Sequence, residues 1–148
     1  MNPHQQRLRL TVEGIGLSVG LDLLSDQNPH TCEAVLGALP LNSIVGHVVV
    51  SGGGLWIPTR LTYLGPRASV RRRPGSVYFY PPMQSVCITY GAISESAHVN
   101  EFARVRDEDL ATLEVIGRHV WDTTIVDPRR RTVRIGITAT ADEGTVAA

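Results

Sequence analysis

Residues 8–23 decide the fold, and they read LRLTVEGIGLSVGLDL. Apolar and polar residues alternate strictly from 8 to 12, which is typical of a strand with one buried face. A Gly-Ile-Gly turn follows at 14–16, and the alternation resumes over 17–23. The stretch therefore predicts a β-hairpin, and with it a mainly β protein.

The rest of the chain adds further strands and two helices. The first helix begins at Asn28-Pro29, a capping residue followed by proline, and ends at Pro40. The second begins near Asp107, a candidate cap, and its apolar stripe comprises Leu110, Leu113, Ile116, Val120 and Trp121. Further strands are predicted at 44–51, 55–58, 77–80, 86–90, 102–105 and 132–137, with the glycines 52–54 as a turn. About eight short strands and only two helices favour a closed barrel capped at each end by a helix, because closure hides strand edges.

Length and charge limit what the protein can be. Its 148 residues suffice for one good core, so we predict a single domain over 1–148, with a core at about 7–138 and flexible tails at 1–6 and 139–148. The 14 basic residues, all arginines, balance 14 acidic ones, so no nucleic-acid partner is expected. No apolar stretch is long enough to span a membrane and no signal peptide opens the chain, so we expect a cytoplasmic protein without a membrane partner.

Several short motifs follow one another along the chain. They are the Asn-Pro-x-Thr helix start at 28–31, its end at Leu39-Pro40, His47, the Ser51-Gly52 turn, Trp56-Ile57-Pro58, the aromatic strand at 74–81 and Tyr90-Gly91. Their order, over about residues 7–138, is similar to the cyclophilin fold, and in particular to the small bacterial and archaeal cyclophilin-like barrels. The resemblance implies a closed cyclophilin-like β-barrel with two capping helices.

The resemblance does not extend to the catalytic segments of the peptidyl-prolyl isomerases. Those enzymes carry a Phe-His-Arg segment, whose arginine stabilises the twisted amide, followed by a Gln-Gly-Gly stretch. Neither segment occurs in the chain. Arg60 or Arg104 would have to substitute, and nothing in the sequence places either one. We therefore expect the fold without prolyl isomerase activity, which is kept as a third hypothesis.

Three residues are candidate catalytic groups for proton transfer. His47 lies on a predicted strand, where imidazole can serve as a neutral acid or base, or can be a buried, hydrogen-bonded core residue. His98 and Glu101 lie in or just after the loop behind Tyr90-Gly91, at the mouth of the predicted barrel. A carboxylate beside a histidine can do general acid/base work, and the alternative is a set of solvated loop charges.

Aromatic and arginine side chains are candidate substrate-binding groups. Tyr78 and Tyr80 share one face of a predicted strand and Tyr90 ends the neighbouring strand. The three tyrosines can pack in the core, or can form a pocket wall for a small ring-shaped ligand. Arg60 and Arg104 can hold a substrate carboxylate, or can lie on the surface as ordinary charged residues.

Other residues narrow the chemistry. The absence of lysine excludes Schiff-base catalysis. Cys32 and Cys87 follow the apolar pattern and are expected to be small buried residues, and no pair of histidines has the spacing of a metal site. The arginine runs 71–73 and 129–131 are interpreted as solvated loops.

These features favour an enzyme that needs neither cofactor nor metal. We expect acid/base chemistry on a small cyclic or carbonyl-containing molecule, as in a hydrolase, lyase, isomerase or cyclase. The alternative is a non-catalytic module that binds a small ligand or a partner. A homodimer is also expected, because Trp56 lies near a predicted edge strand that a second copy can cover.

Overall fold

The computed structural model of the protein describes residues 6–140. Within that range the chain forms two α-helices, α1 (Pro29–Gly37) and α2 (Leu110–Trp121). The nine strands of the same range are β1 (Arg7–Val12), β2 (Leu17–Leu23), β3 (Leu41–Val48), β4 (Gly52–Pro58), β5 (Ser69–Arg71), β6 (Ser76–Tyr80), β7 (Ser85–Ile93), β8 (His98–Val105) and β9 (Val133–Ala139).

Among residues 6–140, eight of the strands form one closed antiparallel barrel. They follow the order β2-β1-β9-β3-β4-β7-β6-β8, and the pairing of β2 with β8 closes the ring. The short β5 pairs with the first three residues of β8, ahead of the segment that pairs with β2. The predicted mainly β, closed barrel with two helices is confirmed.

Apolar side chains fill the inside of the barrel. Leu17 is partly buried, and the six other alternating residues of the first hairpin are buried, as the pattern predicts: Leu8, Leu10, Val12, Val19, Leu21 and Leu23. Both helices contribute side chains to the same core: Cys32, Val35, Leu113, Ile116 and Val120. The side chains on the outer faces of the strands therefore do not belong to this core.

The turn between β3 and β4 lies earlier than predicted. The glycines 52–54 open β4, whereas residues 49–51 make the turn. Gly52 has a φ of 104°, and the pairing of β4 with β7 shifts between Gly52 and Gly54. A Cβ atom at Gly53 would lie 3.0 Å from the Cα of Gly91, so the two strands approach too closely for a side chain. The glycines thus serve a β-bulge rather than a turn.

Neither predicted capping residue caps its helix. The amide of Asn28 instead donates to Oδ1 of Asn100 at 2.6 Å and to the carbonyl of Glu101 at 2.8 Å. Asp107 lies in a short 3-10 turn ahead of α2, and no side chain caps that helix. At the start of α1, a polar side chain is used to bind the helix to β8 rather than to satisfy helical N–H groups.

The predicted tails fall mostly outside the described residues, because residues 1–5 and 141–148 do so. At the other boundary, β9 continues to Ala139, and Thr140 donates its N–H to the carbonyl of Arg7 at 3.0 Å. Neither helix found between residues 6 and 140 is long and apolar enough to cross a membrane.

Candidate functional site

A groove with a volume of about 760 Å³ crosses the outer face of the barrel. Its floor is a row of side chains on three adjacent strands, because Trp56 of β4 pairs with Cys87 of β7, which pairs with Tyr78 of β6. The two neighbours of each residue along its strand lie in the core, so alternation turns the three outward. Strand register therefore fixes the floor of the groove.

Turns and loops form the walls of the groove. The 3-10 turn Pro81–Met83 stands at one end, and the turn between β3 and β4 stands at the other. Val49 and Met83 in these two turns are 65% and 57% exposed, so the rim is open and apolar. The start of β8 and the segments next to it supply the polar wall: Arg67, Ser69, Arg72, Glu95 and His98.

Arg72 enters the groove from the loop that follows β5. It is only 9% exposed, and its Nη2 donates to the carbonyl of Ser51 at 3.3 Å and to the carbonyl of Glu95. Its Nε has no partner, and none of the ion pairs among residues 6–140 includes it. The groove is thus lined by a buried cation that forms no ion pair with any of the described residues, an arrangement that is costly in a protein interior.

Burial keeps the two polar floor groups protonated. Desolvation raises the pKa of Cys87 to about 12, against the opposing effects of Tyr78 and Arg72. Desolvation is also the main reason that the pKa of Tyr78 is raised, again against Arg72. The floor therefore presents a thiol and a phenol that can donate hydrogen bonds and carry no charge at neutral pH.

Glu101 lies on β8 opposite Tyr78, beside the groove rather than in its wall. It is 6% exposed, and its Oε2 accepts the hydroxyl of Ser76 at 2.5 Å. The same oxygen lies 3.6 Å from Nη1 of Arg104, whose Nη2 donates to the carbonyl of Pro74 at 3.2 Å. This carboxylate is therefore held by partners of its own, next to the floor of the groove.

His47 connects the groove with helix α2. Its Nδ1 lies 2.6 Å from the carbonyl oxygen of Val48, and its Nε2 lies 2.5 Å from the hydroxyl of Tyr90. A carbonyl only accepts, so its partner assigns the proton to Nδ1, and Nε2 accepts from Tyr90. The ring of Trp121 packs edge-on against the imidazole, with 4.8 Å between centroids. His47 is thus a neutral imidazole wedged between β7 and α2.

Stability is expected to fall between about pH 7.5 and about pH 5.5, in part because of His47. Desolvation lowers the pKa of His47 below its ordinary value of about 6.5, although the bond to Val48 opposes this. The unfolded chain then binds the proton more readily, so stabilisation present above about pH 6.5 is lost as the pH falls through the lower folded pKa. Urea unfolding at both pH values should show a smaller loss in His47→Gln than in the wild type. Replacement of the exposed His30 by glutamine is the control and should leave the loss unchanged; equal losses in all three proteins would contradict this role.

The structure brings four of the predicted site residues to the groove: His47, Tyr78, Tyr80 and His98. Glu101 and Arg104 form a pair beside it, and Tyr90 lies behind it on the imidazole of His47. Arg60 lines a separate cavity of about 560 Å³ near the ends of α1 and β4. No cluster of three histidine, cysteine, aspartate or glutamate side chains within residues 6–140 is placed to hold a metal ion.

Two groove residues, Arg72 and Trp56, are not among the predicted site residues. The interpretation of 71–73 as a solvated run is wrong for Arg72, which is buried although Arg71 and Arg73 are exposed. Trp56 does not lie near an edge, because β4 is flanked by β3 and β7. The signal for Trp56 is its alternation with core residues, whereas only the long-range pairing of β5 with β8 places Arg72. The homodimer stays a prediction.

No protein-family model matches the chain, and no curated protein sequence matches it. Among solved structures, that of McbB in complex with tryptophan is similar, with a TM-score of 0.81 and 24% identity over 95% of this chain. The chain spans only 46% of the length of McbB. The solution structure of the hypothetical protein AF2241 from Archaeoglobus fulgidus has a TM-score of 0.58 and 16% identity, over 90% of this chain and 94% of AF2241. At such identities the likeness shows the fold alone.

Proposed function

We propose that the groove binds a small molecule that carries a ring and a carboxylate. The protein is then a cytoplasmic, cofactor-independent acid/base enzyme acting on that molecule, built on a cyclophilin-like barrel. The observation that carries the proposal is Arg72, a buried cation that lines the groove and has no anionic partner among residues 6–140.

The buried positive charge of Arg72 favours the binding of a ligand that bears a negative charge. Burying a charge costs several kcal/mol unless the charge is paired. The carbonyls of Ser51 and Glu95 satisfy hydrogen bonds of Arg72, but they do not neutralise it. A carboxylate in the groove would supply the missing charge, and guanidinium groups bind carboxylates through strong, directional hydrogen bonds. The rings of Trp56 and Tyr78 offer flat apolar surfaces to the remainder of such a ligand.

The groove also carries groups that can move protons. His98 and Glu95 line it from β8 and from the loop before β8, and both side chains are exposed. An imidazole takes up and releases protons near neutral pH, and a carboxylate nearby can act with it. Tyr78 stays protonated and can donate a hydrogen bond to a carbonyl oxygen of the ligand. In the proposed enzyme, His98 and Glu95 transfer the proton and Tyr78 stabilises developing negative charge.

A similar structure suggests a suitable probe. McbB was solved in complex with tryptophan, which joins an aromatic ring to a carboxylate. The chain covers less than half of McbB, so L-tryptophan serves here as a representative of the ligand class and not as the assigned substrate.

Replacing Arg72 with glutamine is expected to weaken the binding of L-tryptophan about 10- to 100-fold. Hydrogen bonds to a charged partner contribute about 1.5–3 kcal/mol, and about 1.4 kcal/mol corresponds to a tenfold change in affinity. Isothermal titration calorimetry measures the affinity. Tryptamine, which lacks the carboxylate, should bind the wild type weakly and should not distinguish it from Arg72→Gln.

The neighbouring arginines provide matched controls for this experiment. Arg71→Gln and Arg73→Gln remove the same charge from exposed positions and should bind L-tryptophan as the wild type does. Thermal unfolding must show that Arg72→Gln keeps its fold, since Nη2 of Arg72 also joins two loops. Equal affinities of the wild type for L-tryptophan and tryptamine would contradict the proposed role of Arg72.

A non-catalytic ligand-binding module is the second candidate, and one observation favours it. No hydrogen bond within residues 6–140 joins His47, His98 and Glu101 to one another, because Tyr90 and Ser76 hold two of them. Nuclear magnetic resonance of a bound ligand separates the two functions. An enzyme of the proposed kind converts the ligand or exchanges its acidic C–H for deuterium, whereas a binding module leaves it unchanged. A proline-peptide isomerisation assay tests the third hypothesis.

A further inference from the structure

Two carbonyl groups fix the guanidinium of Arg72, and they belong to different loops. Nη2 of Arg72 carries two N–H groups, and it donates to the carbonyl of Ser51 at 3.3 Å and to the carbonyl of Glu95. Ser51 lies in the turn between β3 and β4, and Glu95 lies in the loop between β7 and β8. Because both N–H groups of Nη2 have an acceptor, the orientation of the guanidinium depends on how these two loops lie relative to each other.

Ser94 joins the two loops, although it does not itself line the groove. Its hydroxyl donates to the carbonyl of Val50 at 3.1 Å, and its backbone N–H donates to the carbonyl of Ser51 at 3.3 Å. The carbonyl of Ser51 therefore accepts from Ser94 and from Arg72, which uses both of its lone pairs. Ser94 also directly precedes Glu95, so the same residue places the second carbonyl.

Gly52 permits the close approach of these loops. It has a φ of 104°, a conformation that favours glycine, and it pairs with Ile93 on β7. A Cβ atom at position 52 would collide with the carbonyl oxygen of Ala92 and would lie 3.0 Å from the backbone nitrogen of Ser94. Both atoms belong to the backbone, so no change of side-chain rotamer relieves the clash. A substitution at Gly52 therefore has to push the turn away from residues 92–94.

We infer that Gly52 and Ser94 are positioning residues, which hold the guanidinium of Arg72 in the orientation that binds the carboxylate of the ligand. Neither residue lines the groove, and both act through the two carbonyls that Arg72 binds. The inference rests on the proposed function, and it adds that the affinity for the carboxylate depends on two residues outside the groove. Such pre-organisation raises affinity because Arg72 is already ordered when the ligand arrives.

The backbone of Arg72 is fixed separately from its guanidinium. Its N–H donates to the carbonyl of Ala97 at 3.0 Å, which continues the pairing of β5 with β8. Loss of the contacts of Ser94 is thus expected to free the guanidinium and to leave the backbone of Arg72 in place. Variants of Ser94 therefore test the orientation of the charge rather than its presence in the groove.

Removing the hydroxyl of Ser94 is expected to lower the affinity for L-tryptophan about three- to tenfold, the effect of one hydrogen bond. Gly52→Ala displaces the turn and should lower the affinity about tenfold or more. Isothermal titration calorimetry measures both, and Ser94→Thr, which keeps a hydroxyl, should bind as the wild type does. In the background of Arg72→Gln neither substitution should lower the affinity further, whereas a merely structural effect on the groove would persist there.

A second measurement needs no ligand. Nε of Arg72 is buried and has no partner, and nuclear magnetic resonance detects its N–H as a signal that Arg72→Gln removes. This N–H should exchange with water about threefold faster or more in Ser94→Ala and in Gly52→Ala than in the wild type, because the loops that bury it open more often.

Two nearby substitutions are matched controls. Ser96→Ala removes an exposed hydroxyl of the same loop that makes no hydrogen bond within residues 6–140. Gly54→Ala adds a methyl group on the same strand as Gly52, where the nearest atoms lie 3.6 Å away, an ordinary contact distance. Both controls should keep the wild-type affinity and exchange rate. Thermal unfolding shows which variants are folded, and Ser94→Ala, at an exposed position, decides the matter if Gly52→Ala does not fold.

The outcomes separate this inference from the proposed function. If L-tryptophan binds in an Arg72-dependent manner while Ser94→Ala and Gly52→Ala keep the wild-type affinity, the positioning role is overturned and the proposed function stands. The same holds if the two variants lose affinity equally in the Arg72→Gln background, or if the exchange rate is unchanged. If the wild type does not bind L-tryptophan, the proposed function is overturned and the role of the two residues in binding with it. Faster exchange together with an Arg72-dependent loss of affinity supports both.

Discussion

Replacing Asn28 with aspartate is expected to lower the free energy of unfolding by about 3–5 kcal/mol, the cost of leaving a buried charge without a partner. Asn28 is 2% exposed, and its amide N–H groups donate to Oδ1 of Asn100 and to the carbonyl of Glu101. A carboxylate has no proton to donate and would face two acceptors at hydrogen-bond distance. Asn28→Ala removes the donor without adding a charge and should cost about 1–3 kcal/mol.

Asn28→Asp distinguishes a side chain that binds α1 to β8 from a side chain that caps α1. Aspartate and asparagine are almost equally good at the start of a helix, so a capping Asn28 predicts little change in Asn28→Asp. Urea unfolding followed by circular dichroism measures the difference. The loss should shrink at low pH, because a protonated aspartate regains one donor. A variant as stable as the wild type would show that the bonds from α1 to β8 contribute little.

Replacing Phe79 with alanine is expected to cost about 3–5 kcal/mol, as is usual for a large aromatic residue in a core. Phe79 is 1% exposed and belongs to the core cluster inside the barrel. The loss combines the transfer of the ring with the cavity that neighbouring strands cannot fill, because a closed barrel cannot collapse freely.

The adjacent tyrosine is the control for this prediction. Tyr80 follows Phe79 on β6 and is 45% exposed at the rim of the groove, so Tyr80→Ala should change stability by only about 0.5 kcal/mol. Chemical unfolding of both variants compares inward and outward positions on one strand. Similar losses in the two variants would mean that β6 does not divide core from groove as described.

Local alternation explains how much of the fold is predictable from the sequence. The hairpin of β1 and β2 follows it closely, since the information needed lies within a few residues. Residues 98–101 break the pattern, so alternation predicts a strand only from residue 102, although β8 begins at His98. Asn100 and Glu101 are polar yet buried, because Asn28 and Ser76 bind them from distant parts of the chain. Such compensation cannot be recognised until the partners are known.

The candidate site likewise contains residues that local spacing identifies and residues that only long-range pairing places. Tyr78 and Tyr80 can be assigned to one face of a strand from their spacing, and both line the groove. Arg72 cannot be told apart from Arg71 and Arg73 by composition, since only the pairing of β5 with β8 turns it inward. Which arginine of the run is buried depends on the tertiary structure, and the sequence of the run alone does not reveal it.

The position of β9 has a consequence for the making of the protein. It is the last strand of the described residues, yet it lies between β1 and β3, and Ile137 pairs with Leu10 on one side and Leu41 on the other. Until the ribosome has released this segment, β1 and β3 each keep an open edge, and open edges invite pairing with other chains. The nascent chain therefore cannot close its barrel until β9 has left the ribosome, and the edges of β1 and β3 stay open until then.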